Sequence, residues 1–79
     1  MEIKILGTGC PKCKTLEKVT REAVGEMGIE ADIKKEEDIV RIMGYGIMQT
    51  PGLVINGRVV SSGRVLSLKE VKELISKNQ

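Results

Sequence analysis

Cys10 and Cys13 are the only cysteines of this 79-residue chain, separated by Pro11 and Lys12. A thiolate is both a nucleophile and a soft metal ligand, so the pair points to thiol–disulfide exchange or to metal binding. If Pro11 is the first residue of a helix, its missing N–H is no loss and Cys10 becomes the N-cap. The Cys10 sulfur then meets the free amides of the first turn and the positive end of the helix macrodipole, and both favour thiolate over thiol. Cys10 is therefore the expected exposed nucleophile. A helical turn puts the Cα atoms of the two cysteines about 5 to 6 Å apart, within the span of a disulfide. Lys12 and Lys14 lie in the first turn and no acid follows before Glu17, which leaves space for a sulfur anion where helix starts usually carry carboxylates.

The rest of the composition narrows the chemistry. The chain has no His, which excludes His-dependent acid–base catalysis and His metal ligation. Two thiolates alone cannot complete a four-coordinate zinc site, although they suffice for copper(I). A copper(I) or zinc module and a non-catalytic interaction domain are thus the alternatives to an exchange enzyme. The blandest reading, two small buried hydrophobes or incidental thiols, suits isolated cysteines better than a pair at a strand-to-helix switch. Thirteen basic and eleven acidic residues leave a net charge of +2, and Tyr45 is the sole aromatic. Neither a nucleic acid nor a membrane partner is expected from that balance. Met1 to Leu6 alternates charged with aliphatic residues rather than forming a leader, so a cytoplasmic setting is expected. A permanent structural disulfide is rare there, which again favours reactivity at Cys10 and Cys13.

The elements that must position the pair follow from periodicity. Ile3 and Ile5 alternate with Glu2 and Lys4 and lead to Gly7-Thr8-Gly9, a strand feeding a tight turn. From Pro11 the apolar positions Leu16, Val19, Ala23, Val24 and Met27 keep a helical rhythm that Gly28 ends. Ile29, Ala31 and Ile33 alternate with Glu30, Asp32 and Lys34, which predicts a second strand, parallel to the first across the crossover helix. Glu36, Glu37 and Asp38 open a short helix through Ile39, Val40, Ile42 and Met43. Leu53-Val54-Ile55 and Val59-Val60 flank Asn56-Gly57, the signature of a two-residue hairpin. Ser67 with Glu70 forms a capping box and Leu66 with Val71 the staple around it, starting a last helix from about Leu68 to near Ser76. The order is β-α-β-α-β-β-α, an α/β arrangement in a single domain over residues 1–79.

With Cys10-Pro11-Lys12-Cys13 opening the first helix and Thr50-Pro51 just before the third strand, the chain resembles the thioredoxin and glutaredoxin superfamily over nearly its whole length. It is most similar there to the small prokaryotic redox-active disulfide proteins. The resemblance implies a minimal thioredoxin-like fold, with a four-stranded mixed sheet in the order 2-1-3-4 flanked by three helices. It implies a thiol–disulfide oxidoreductase without a cofactor, in which Cys10 and Cys13 are catalytic. Pro11, Lys12 and a cis Pro51 support the site, and Thr50 pairs with substrate backbone. Gly63 lets a substrate approach closely, although loop punctuation explains it equally well from the residues alone. The implied partners are disulfide-containing proteins and an upstream dithiol reductase, acting on a monomer. The sequence departs from the superfamily in three places. Gly9 replaces an aromatic before the first cysteine, and Arg64 replaces the acid of a glutathione-binding loop, which favours protein substrates. Glu2 and Lys4 offer no match to the buried acid on the first strand. Tyr45, Ile47 and Met48 either form an apolar rim for a partner peptide or pack onto their own core.

Overall fold

The computed structural model describes residues 1–79. Its elements are β1 (Glu2–Leu6), α1 (Pro11–Met27), β2 (Asp32–Glu36), α2 (Ile39–Gly44), β3 (Gly52–Ile55), β4 (Arg58–Ser62) and α3 (Leu68–Lys77). The four strands form one sheet in the order β2-β1-β3-β4. β1 runs parallel to β2 and antiparallel to β3, and β3 is antiparallel to β4. The α/β class, element order and sheet order are as the sequence and its resemblance imply. No helix is long and apolar enough to cross a membrane.

Alternation along β1 divides the core between the two faces of the sheet. Ile3 and Ile5 join Leu53 and Ile55 under Leu16 and Ala23 of α1 and Val71 and Ile75 of α3. Leu6 and Val54 point the other way, onto Ile42 of α2 and Ile47. The six-residue α2 covers only part of that second face. Ion pairs of Lys4 with Glu2 and of Lys34 with Asp32 lie along β1 and β2, as suits side chains left in contact with water.

Two details differ from the periodicity. The alternation from Ile29 predicts a strand that starts there, but pairing begins at Asp32, because the first paired residue of its parallel neighbour β1 is Glu2. Ile29 and Ala31 still pack against the larger core while extending from α1. At the far end the strand continues through Lys35 and Glu36, opposite Ile5 and Leu6. In the second helix Glu36 thus belongs to β2, and Asp38 is the N-cap, its carboxylate accepting the Val40 N–H at 2.9 Å. Of the apolar residues in α2 only Ile42 is buried.

The hairpin forms as read, with both Asn56 and Gly57 at positive φ. Asn56 is also a junction: its N–H donates to the Glu2 carbonyl and its Oδ1 accepts the Glu2 N–H, while Nδ2 donates to the Asn78 carbonyl. The capping box of α3 is complete, Ser67 Oγ accepting the Glu70 N–H and Glu70 Oε1 accepting the Ser67 N–H. That bonding, with Arg64 beside it, holds the Glu70 carboxyl below its ordinary value of 4.5.

Candidate active site

The site is assembled by chain order at one end of the sheet. Cys10 has extended backbone and caps α1, with Pro11 as its first helical residue. Its sulfur accepts the Cys13 N–H at 3.2 Å, one of the amides that a helix start leaves without an intrahelical partner. The first turn of α1 holds no acid. Cys10 and Cys13 are joined as a disulfide, with Cα atoms 5.1 Å apart. The two sulfurs differ in access: Cys10 is half-buried, whereas Cys13 is 5% exposed. A helix that buries the stripe Cys13, Leu16, Thr20 and Ala23 turns its second cysteine inward as part of its core face. Thr20 is the unexpected member of that stripe. It is buried because its hydroxyl donates back to the Leu16 carbonyl at 2.7 Å.

Gly7 makes this burial possible. A β-carbon at Gly7 would overlap the Cys13 sulfur, so the strand end and the second cysteine share one volume. Pairing of β1 with β3 ends at Leu6 and Gly52, which makes Gly7 and Pro51 the next residues along the two strands. The Thr50–Pro51 peptide is cis and Pro51 is buried, while Thr50 is half-exposed. Neither the N–H nor the carbonyl of Thr50 has a backbone partner. The Gly63 N–H donates to the Pro51 carbonyl at 2.8 Å, and Gly63 has a φ of +72°. A side chain there would collide with Gln49, an intramolecular reason for glycine at that position.

Cys10, Pro11, Lys12, Cys13, Thr50, Pro51 and Gly63 therefore all lie at the end of the sheet where β1 stops and β3 begins. Pro11 and Lys12 are exposed. Of the three residues before the proline loop, Ile47 is buried and Tyr45 packs against the same small core, leaving Met48 as the exposed one. The Tyr45 hydroxyl bonds to Lys4 Nζ at 3.2 Å, which with the nearby charges keeps the Lys4 ammonium above its ordinary value of 10.5.

A cavity of about 100 Å³ opens beside the second cysteine. Ile5, Gly7 and Cys13 form part of its wall, and Lys14, Glu17, Lys35 and Glu37 supply its charges. Glu17 lies one turn beyond Cys13 on α1, and Lys35 faces it from β2 at 3.8 Å. The sequence pattern assigns Glu17 and Lys35 no role at the cysteines and gives Glu37 only a place among the acids before α2. Their convergence depends on the parallel register of β1 and β2, which a local pattern does not encode.

Comparison with known proteins agrees with this geometry. The family described as Thioredoxin domain matches residues 1–76. A protein named thioredoxin from Methanothermobacter thermautotrophicus (strain Delta H) is 43% identical over 76 residues, covering 96% of this chain and 99% of its own. A second protein of that name, from Methanocaldococcus jannaschii, is 39% identical over 71 residues, covering 90% of this chain and 81% of its own.

Proposed function

This chain belongs to the thioredoxin family and is a thiol–disulfide oxidoreductase, and on that premise we propose a separate role for each sulfur. Cys10 is the attacking thiolate. It displaces one sulfur of a substrate disulfide, forming a Cys10–substrate mixed disulfide and releasing the other substrate sulfur as a thiolate. Cys13 then attacks Cys10, so that the mixed disulfide breaks, the Cys10–Cys13 bond forms, and the substrate leaves reduced by two electrons. An external dithiol returns the pair to its reduced form.

The observation that carries the assignment is the Cys13 N–H directed at the Cys10 sulfur from the first turn of α1, at the more accessible of the two sulfurs. A donor fixed by the helix stabilises negative charge on that sulfur without reorganising. Lys12 and Lys14 add positive charge near the same turn, and Pro11 starts the helix at the residue after the nucleophile.

Thr50 supplies the backbone against which a substrate segment aligns. Its free N–H and carbonyl, beside the buried Pro51, suit a short antiparallel pairing with an extended peptide. The partners in this reading are proteins with accessible disulfides and a dithiol reductase, and the setting is a monomer in the reducing cytoplasm. The test is the alkylation rate of the reduced protein against pH. Cys10 should titrate below the ~8.5 of an unperturbed thiol, while an unshifted midpoint contradicts the assignment.

A further inference from the structure

The second attack needs more than a sulfur in position. A buried thiol must lose its proton to become the nucleophile, and Cys13 is 5% exposed, so the proton leaves by the cavity beside it, to a group on that cavity's wall. β1 supplies no such group. Lys4 points away from Ile5, whose side lines the cavity, and it is bonded to Tyr45 on the other face of the sheet.

The cavity next to Cys13 contains two carboxylates, and their surroundings differ. Glu17 has both oxygens committed to cations, Oε2 to Arg21 at 3.0 Å and Oε1 to Lys35 at 3.8 Å. Glu37 is exposed to solvent and takes part in none of the ion pairs. Its Oε2 lies 3.8 Å from where a β-carbon on Gly9 would be, above the loop that delivers Cys10. The cavity, at about 100 Å³ and with four charged side chains on its wall, has room for a bridging water between Cys13 and this carboxylate.

We propose that Glu37 accepts the Cys13 proton, through solvent in the cavity it shares with Cys13, as Cys13 attacks the mixed disulfide. The inference rests on Cys13 being the second nucleophile. The S–H bond of Cys13 breaks as its sulfur bonds to Cys10, the substrate sulfur leaves with the electron pair of the broken disulfide, and the proton on Glu37 passes to that leaving sulfur or to water. Lys14 and Lys35, on the same wall, favour the transient Cys13 thiolate. Glu37 acts on the sulfur through water and is thus a positioning residue.

The two attacks can be timed separately with dithiobis(nitrobenzoate). Cys10 releases one coloured thiolate on forming the mixed disulfide, and Cys13 releases the second. In the full-length Glu37→Gln variant the first phase should be unchanged. The second should slow by about a hundredfold or more at neutral pH, the lower range of a lost acid–base group, with the difference closing above the ordinary thiol range, where hydroxide removes the proton. Glu37→Asp should recover part of the rate, and Glu17→Gln should retain it. The sign separates this role from simple charge: a carboxylate that merely lies near Cys13 disfavours its thiolate, so neutralising it would speed the second phase. An unchanged or faster second phase in Glu37→Gln, or an equal loss in Glu17→Gln, overturns the proposal. A wild-type protein with no second phase overturns the role of Cys13 itself.

Discussion

Gly7 and Cys13 occupy adjoining parts of one volume: any β-carbon added to the glycine would overlap the sulfur. The buried member of the redox pair is thus seated against the backbone where β1 ends, and the space for it is a missing side chain. The more accessible member, Cys10, is placed by different physics, the capping of α1.

Gly7→Ala should therefore destabilise the protein by about 1 to 3 kcal/mol, the usual cost of overpacking a filled core, as measured by urea unfolding of the oxidised form. Gly25→Ala is the control. It lies within α1 with nothing within 4 Å of an added β-carbon, so the same exchange should stabilise by roughly 0.5 to 1 kcal/mol.

Replacing each cysteine should separate the two attacks. Cys10→Ser should lose essentially all reduction of a protein disulfide. Cys13→Ser should still react once and then accumulate a covalent mixed disulfide with its substrate, visible as a mass adduct that dithiothreitol removes. Equal and mild losses in both variants would contradict the division of roles.

The capping box makes α3 sensitive to acid. Glu70 has a lowered folded-state value, so its contribution is complete above the ordinary value of 4.5 and is lost as the pH falls through the lowered one. Stability of the wild type measured from pH 5 downward should fall more steeply than that of Glu70→Gln, because the variant has already lost the ionised cap. Parallel curves would show that the box does not hold the helix start.

Asn56 combines a φ of +51° with three hydrogen bonds that tie the hairpin to β1 and to the end of α3. Asn56→Ala should destabilise by about 1 to 3 kcal/mol, from the disfavoured left-handed backbone and the lost side-chain bonds. Asn56→Gly should recover the backbone part only, placing it between the two in urea midpoint.

The fold was legible in the sequence wherever a pattern is local. Pro11 and Gly28 bracket α1, Asn56-Gly57 sets the hairpin, and Ser67 with Glu70 starts α3. The exceptions depend on contacts between distant segments. Pairing of β2 starts at Asp32 rather than Ile29 because the first paired residue of its partner is Glu2. Thr20 is buried through a hydrogen bond to its own helix rather than through its hydropathy. In the site, the spacing of Cys10 and Cys13 and the capping role of Cys10 could be read directly, and the place of Thr50 and Pro51 came from family resemblance. Gly7, Glu17, Lys35 and Glu37 meet Cys13 only once β1, β2 and α1 are assembled, so no periodicity reveals them.

Cys10 and Cys13 should behave as one reversible two-electron couple. The decisive measurement is to equilibrate the protein in graded reduced-to-oxidised glutathione and dithiothreitol buffers, alkylate free thiols, and weigh the products. A single transition between species carrying two alkyl groups and none, shared by both cysteines, is expected. Two alkylated thiols throughout every buffer would contradict it.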